Sequence, residues 1–212
     1  MGNVRAEAGG LVWVGADEIV RIEPWGSDAL RVRAARGAEL PVPLGEDGAL
    51  LDVDTPAADV THGPNAATIG NGAITAQLDA DGHLRFLRSD DGRELVAEHD
   101  PHFVDPRARH YGYRPDGYWR IEAAFAAYDG ERLYGLGQQQ HGRLDQKGCV
   151  VDLVQRNTQV AVPFLLSSRG YGLLWHCPAV GRVELGVNGT RWVAEAATGL
   201  DYWIAAADTP AG

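Results

Sequence analysis

Apolar residues at every second position, with turn residues between the runs, limit the possible folds of this chain more than any other feature. Leu30 and Val32 alternate with arginines, and Ile74, Ala76 and Leu78 alternate with polar residues. Successive side chains of a β-strand point to opposite faces, so a period of two predicts strands buried on one side. No long window shows the 3.6-residue repeat of an amphipathic helix. The sequence therefore predicts an all-β fold.

Turn signals separate these runs at short intervals. Residues 79–82 and 168–170 are rich in Asp, Ser and Gly and lie between two alternating runs. Asn188 and Gly189 predict a two-residue type I′ turn, because both central residues of that turn have positive φ. This spacing favours antiparallel sheets over βαβ units. We expect an antiparallel β-sandwich in which residues 1–212 form a single domain.

The Tyr-Gly-Leu-Gly sequence at residues 134–137 predicts a sharp change in backbone direction. Gly135 and Gly137 permit backbone geometry that a residue with a Cβ resists. Under this interpretation Tyr134 and Leu136 face the same side, toward the core. The glycines are thus explained as structural, without a catalytic role.

Charge and hydropathy argue against two classes of partner. The chain has 19 Lys and Arg against 29 Asp and Glu, a formal net charge of −10, and no basic run that would bind nucleic-acid phosphates. The apolar stretch 11–14 is too short for a membrane span or for the apolar region of a signal peptide. We expect no nucleic-acid partner, no membrane partner and a cytoplasmic location.

Cysteine and histidine spacing gives no indication of a metal or a cofactor. Cys149 and Cys177 lack the spacing of a zinc site or a disulfide framework, and both lie beside apolar runs, which predicts buried free thiols. His99 and His102 flank a proline and have no further ligands in a matching pattern. No metal site and no cofactor are expected.

Five ordered blocks in the second half of the chain belong together: residues 129–137, 138–148, 155–159, 162–172 and 208–210. In this order they resemble glycoside hydrolase family 31, most closely its α-xylosidases and α-glucosidases. The resemblance implies a galactose-mutarotase-like β-sandwich, or supersandwich, that precedes a catalytic (β/α)8 barrel.

The resemblance also implies where catalysis takes place. Members of the family are mostly retaining α-glycosidases, which need two carboxyl groups about 5 Å apart. Both carboxylates belong to the barrel in this family, and the barrel should begin near the end of this sequence. We therefore expect no catalytic residue here and no activity of the 212 residues alone. The implied partners are the barrel of the same polypeptide and an α-linked sugar, and a homo-oligomer is left open.

One loop carries the candidate substrate-binding residues that the resemblance implies. Family members have an Asn-x-Asp pattern in a loop that reaches over the barrel mouth, and its acid contacts sugar hydroxyls. Asn157, Thr158 and Gln159 stand there, so an uncharged amide replaces the acid. The candidates are Asn157 and Gln159, with Arg156 beside them and His141 in the preceding polar loop. The alternative is a solvated turn in which Asn157 bonds its own backbone.

Two other functions remain open. An aldose epimerase (mutarotase) shares the implied fold and needs a histidine and a carboxylate facing one sugar cleft. A free-standing carbohydrate-binding module would present exposed aromatic side chains along a groove. Trp175, Trp192 and Trp203 lie in strand-like segments, where packing in the core or against the barrel is the expected role. An apolar patch that meets the barrel would be exposed in the 212 residues alone.

Overall fold

The regular elements of the computed structural model are all β-strands. It describes residues 2–7, 9–41, 49–51, 53–63, 66–101 and 107–209. Within these ranges no helix is present that could cross a membrane. The strands are β1 (Asn3–Glu7), β2 (Gly10–Val14), β3 (Glu18–Pro24), β4 (Ala29–Arg36), β5 (Asp59–His62), β6 (Ala66–Asn71), β7 (Ile74–Asp79), β8 (Leu84–Arg88), β9 (Glu94–Ala97), β10 (Arg109–Tyr113), β11 (Trp119–Phe125), β12 (Leu133–Gln138), β13 (Val150–Leu153), β14 (Val160–Ser167), β15 (Tyr171–Trp175), β16 (Gly181–Leu185), β17 (Thr190–Ala197) and β18 (Leu200–Ala206).

The strands form three antiparallel sheets arranged as a sandwich. The large sheet has the order β1-β2-β3-β4-β18-β15-β14-β12, and the two five-stranded sheets have the orders β10-β11-β17-β16-β13 and β5-β6-β7-β8-β9. The two smaller sheets adjoin where Glu98 bridges to Phe125. Residues of all three sheets share one buried apolar cluster. The predicted all-β antiparallel sandwich is confirmed.

Aromatic side chains join the layers at the centre of the core. Tyr202 of β18 lies edge-on to Phe86 of β8 and to Phe125 of β11, with ring centroids 6.2 and 5.7 Å away. Trp175 of β15 stacks on Trp192 of β17 at 5.7 Å. Both tryptophans are buried, as expected for core residues. Burial of this much aromatic surface is a main source of stability in a sandwich.

A buried ion cluster around Arg109 connects all three sheets. Its guanidinium donates to Glu18 of β3 at 2.8 and 3.1 Å, to Glu98 after β9, and to the Gly82 carbonyl in the β7–β8 turn at 2.8 Å. The Tyr111 hydroxyl also donates to Glu18, at 2.7 Å. Burial raises the pKa of Glu98, although the charge of Arg109 opposes that shift. The cluster thus fixes the relative positions of the sheets.

Two local predictions are wrong. Neither Asn188 nor Gly189 has the positive φ of a type I′ turn. Leu185 pairs with Thr190, which leaves four residues in the connection, and loops of that length are usually built around a type I turn. The cysteines are free, as predicted, but Cys149 and Cys177 are only partly buried. Desolvation raises the pKa of the Cys177 thiol.

Candidate functional site

The loop that carries Asn157 and Gln159 crosses from one layer of the sandwich to the other. It joins β13 of a five-stranded sheet to β14 of the large sheet. The Gln155 side chain fixes its base: its Nε2 donates to the Ala161 carbonyl at 2.8 Å, and its Oε1 accepts from the Ala161 amide at 3.2 Å. One side chain therefore makes the pair of bonds that a neighbouring strand would make.

Residues 156–159 form a tight turn at the tip of this loop. The Gln159 amide donates to the Arg156 carbonyl at 3.2 Å, and the two residues form an isolated β-bridge. Thr158 has a φ of 69°, an uncommon value for a β-branched residue, which the turn imposes at its third position. Such a conformation is retained only where the surroundings hold it.

The amide side chains of the turn are available to a ligand. Within the described residues, no hydrogen bond involves the side chain of Asn157 or Gln159, so the expected alternative, Asn157 bonded to its own backbone, is not observed. Asn157 is exposed and Gln159 is partly buried. Each amide offers two donors and one acceptor oxygen, a set that suits sugar hydroxyls.

Arg156 is less available than the two amides. Its guanidinium pairs with Asp152 of β13 at 2.9 Å, and both side chains are about half exposed. An exposed pair of this kind contributes about 0–1 kcal/mol to stability. Arg156 thus already has an acidic partner within the protein.

A second polar loop, residues 139–149, lies against the turn. The Gln140 side-chain amide bonds to the Thr158 hydroxyl, which brings His141 to the same end of the domain as Asn157. His141 Nδ1 accepts from the Arg143 amide at 3.1 Å. The neutral ring then carries its proton on Nε2, which is left as a donor. The four candidate residues thus lie in two loops that touch each other.

The far end of the second loop is anchored to the start of β12. Asp145 accepts from the amides of Leu133 and Lys147 at 3.1 and 3.0 Å. Partial desolvation acts to raise the pKa of Asp145, but these amide donors outweigh it and hold the pKa below its usual value. The Lys147 ammonium lies 3.3 Å from buried Glu131, which also accepts from Ser167 at 2.6 Å. The loop is therefore fixed at both ends.

The Tyr-Gly-Leu-Gly segment bends β12 beside these loops. Gly135 and Gly137 have φ of 100° and 85°, and a Cβ on Gly137 would lie 2.0 Å from the Val160 carbonyl oxygen. The predicted structural role of the glycines agrees with this geometry. The prediction that Tyr134 and Leu136 share a face is wrong: the register with β14 shifts between the glycines, so Leu136 enters the core while Tyr134 lines a cavity on the outer face.

Two histidine–carboxylate pairs are seen among the described residues, and in both of them each ring nitrogen faces another protein group. His176 Nδ1 bonds Asp201 at 3.1 Å, and its Nε2 accepts from the Ala49 amide at 2.9 Å. His83 Nε2 lies 2.8 Å from Asp100, and its Nδ1 faces Asp79. An epimerase base needs a nitrogen that reaches the sugar, and these pairs do not offer one.

No group of three or more His, Cys, Asp or Glu side chains in the described part of the chain is arranged to hold a metal ion. His102, considered above as a possible ligand, lies outside the described residues, as does Pro210 of the last family block.

Sequence reasoning missed the two glutamines that build this site. Gln155 fixes the base of the turn and Gln140 joins it to the second loop. Both lie within blocks that the resemblance singles out, but glutamine in a polar loop has no distinctive pattern. To find them, one would have had to predict that β12 and β14 are antiparallel neighbours, because that pairing brings the two loops together.

Comparison with known proteins agrees with this fold. The family model for the glycosyl hydrolase 31 N-terminal galactose mutarotase-like domain matches residues 17–184. An uncharacterized family 31 glucosidase of Pseudescherichia vulneris, ORF2, is 34% identical over 99% of this chain and 42% of its own length. Alpha-xylosidase A of Aspergillus niger is 34% identical over 90% of this chain and 28% of its own length. The chain thus spans less than half the length of these relatives.

Solved structures show the same relationship. A family 31 α-xylosidase from a soil metagenome, complexed with xylose, superposes with a TM-score of 0.90 at 37% identity, over 99% of this chain and 33% of that one. A dextranase of Flavobacterium johnsoniae, at 13% identity and a TM-score of 0.79, shares the fold alone. The chain belongs to glycoside hydrolase family 31, as its N-terminal galactose-mutarotase-like domain.

Proposed function

We propose that this domain is a non-catalytic part of a retaining α-glycosidase, an α-xylosidase or α-glucosidase, and that its 156–159 turn forms one wall of the sugar site. Under this proposal the two catalytic carboxylates belong to a barrel domain of the same polypeptide. The domain packs on that barrel and contributes hydrogen bonds to the substrate. Asn157 and Gln159 contact sugar hydroxyls, and Arg156 and His141 border them.

One observation carries the proposal: the turn presents two side-chain amides that have no partner among the described residues, on a base that the Gln155 side chain holds through two hydrogen bonds. A group held in place before substrate binds loses little entropy when it forms its hydrogen bond. Support also comes from the relatives, whose names describe a glucosidase and α-xylosidases more than twice as long as this chain.

The first test is hydrolysis of p-nitrophenyl α-xyloside and α-glucoside. The 212-residue chain is compared with a polypeptide extended through the domain that follows it. We expect activity in the extended protein only, and the preferred sugar names the activity of the parent enzyme. Hydrolysis by the 212 residues alone would refute the proposal, because the carboxylates would then lie within them.

The second test concerns the turn. Gln159→Ala in the extended protein removes a neutral hydrogen bond, worth about 0.5–1.5 kcal/mol, so we expect kcat/KM to fall roughly 2- to 12-fold. Gln77→Ala is the matched control, since Gln77 points outward from β7 in a different sheet. If the two substitutions changed kcat/KM equally, the proposed contact between Gln159 and the sugar would be refuted.

The two alternative functions are tested with the same chain. A mutarotase would speed exchange between the α and β anomers of glucose, and a carbohydrate-binding module would bind oligosaccharides without the barrel. We expect neither, because the proposed sugar site needs walls from both domains.

A further inference from the structure

The outward side of β14 is an apolar stripe on an interior strand. Ala161, Pro163, Leu165 and Ser167 face the sandwich, so the alternate positions face out. The large sheet encloses β14 between β12 and β15. A solvated face of an antiparallel sheet normally carries polar residues. The outward residues are Val160 and Val162, 50% and 43% exposed, and the half-buried Phe164 and Leu166.

The stripe continues into an apolar cavity of about 500 Å³ on the same face. Tyr134 pairs with Leu166 across β12 and β14, and Trp203 lies two strands away on β18. Leu144 of the second loop, 79% exposed, also lines the cavity. With Tyr171 of β15, the lining therefore combines large side chains from four strands and one loop, and most of its lining surface is apolar.

Neighbouring parts of the same face have ordinary polar character. On β3 and β4, Glu23 binds Arg21 at 2.8 Å and Arg33 at 2.7 Å. Next to them Arg31 donates to Asp201 at 2.6 and 3.0 Å. Another apolar cluster of this face, Val12, Ile19 and Ala35, is already buried, whereas Val160 and Val162 of β14 are exposed. An exposed apolar region of this kind marks a contact surface.

The position of residues 208–209 indicates what covers this surface. Asp208 and Thr209 follow β18 and line the cavity. The relatives are much longer than this chain, which covers 42% and 28% of the two named above. Polypeptide that continues from Thr209 thus starts at the rim of the cavity. At the other end, Val160 directly follows Gln159, so the stripe runs from the proposed sugar turn to this rim.

We propose that the catalytic domain of the same polypeptide docks on the outward side of β14, together with Tyr134, Leu144 and Trp203. This inference rests on the proposed function, since it takes the following domain as its occupant. Docking through β14 fixes the position of the turn relative to the barrel, because both belong to one continuous segment. The same contact therefore sets substrate affinity.

Hydroxyl-radical footprinting tests the contact directly. In the extended polypeptide, labelling of Tyr134, Leu144 and Phe164 is expected to fall at least three-fold relative to the 212-residue chain. Tyr113, 78% exposed on a different sheet, is the control and should be labelled equally in both. Equal labelling of all four residues would overturn the inference. So would protection that develops in the 212-residue chain as its concentration rises, because the occupant would then be a second copy.

A matched pair of substitutions tests the link to the sugar site. Val162→Glu places a charge in the stripe, and Val187→Glu places one in the exposed β16–β17 connection. We expect Val162→Glu to lower kcat/KM of the extended protein at least ten-fold with most of the change in KM, and Val187→Glu to leave it unchanged. Both variants of the 212-residue chain should melt within a few degrees of the parent, which separates docking from folding.

The outcomes separate this inference from the proposed function. An extended protein that hydrolyses α-glycosides but shows no protection of β14 overturns the docking surface alone. An extended protein that is protected but inactive on every α-glycoside overturns the proposed function and leaves the docking surface supported.

Discussion

Replacing Arg109 by methionine tests whether the buried ion cluster holds the three sheets together. The substitution keeps most of the side-chain length but leaves Glu18 and Glu98 buried without their cation. Removing one partner of a buried pair costs about 3–5 kcal/mol, because the remaining charge is uncompensated. Domains of this kind are usually stable by about 5–15 kcal/mol, so the variant should fold but with a clear deficit.

The assay is thermal and urea unfolding followed by circular dichroism. For a chain of about 150–250 residues, 1 kcal/mol corresponds to a Tm shift of about 2–4 °C, so Tm should fall by roughly 6–20 °C. Arg114→Met is the matched control. Arg114 pairs with Asp116 at a similar distance, 2.6 Å, but both side chains are well exposed, so its loss should leave Tm nearly unchanged.

The pH dependence gives a second, independent check. Burial raises the pKa of Glu98, so the folded protein binds its proton more readily than the unfolded chain does. Stability from this group therefore falls as pH rises from the unfolded to the folded pKa. Without Arg109 the pKa rises further, so the deficit of the variant should be larger at about pH 8 than at about pH 5. A loss below about 1 kcal/mol, or a deficit independent of pH, would refute the reasoning.

Three further substitutions, the first with a matched control, test local features by their effect on Tm. Gly137→Ala should lower the free energy of unfolding by at least about 3 kcal/mol, because the new Cβ would meet the Val160 carbonyl. Its control is Gly142→Ala: Gly142 has a similar φ of 68° but lies in open space, so this substitution should lower the free energy of unfolding by only about 1–2 kcal/mol. Thr158→Asn should change stability by less than about 1 kcal/mol, since asparagine tolerates positive φ but the bond from Gln140 to the Thr158 hydroxyl is lost; a larger change in either direction would contradict this. Tyr202→Phe should change stability by less than about 0.5 kcal/mol or raise it, because the buried hydroxyl finds no partner among the described residues; a loss above 1 kcal/mol would point to a hydrogen bond to water.

The strands were predictable because the pattern that indicates each strand lies within a few consecutive residues. Alternation around Leu30 and Leu78 gave β4 and β7 directly, since burial on one face imposes a period of two. The direction of Tyr134 was not predictable, because it depends on a register shift that the opposite strand sets. The type I′ turn predicted between β16 and β17 was wrong for the same reason. The pairing of Leu185 with Thr190, and not the Asn-Gly dipeptide, sets the length of that loop.

The candidate site was only partly predictable. The resemblance located Asn157 and Gln159, but the bond from Gln140 to Thr158 joins residues 18 positions apart and follows from the pairing of β12 with β14. Arg109 and Glu18 are separated by 91 residues, so no sequence pattern connects them. Whether these loops contact a sugar remains a prediction that the proposed experiments address.

The Gln155 side chain has a consequence for how this domain could change its specificity. The Gln155 side chain bonds both the amide and the carbonyl of Ala161, as a neighbouring strand would. The start of β14 is therefore held independently of residues 157–159. Replacements of Asn157 or Gln159 therefore alter the side chains that the turn presents, with little effect on folding. Under the proposed function, ligand binding and stability are in this way assigned to different residues, so substitutions at Asn157 and Gln159 would need no compensating changes in the core.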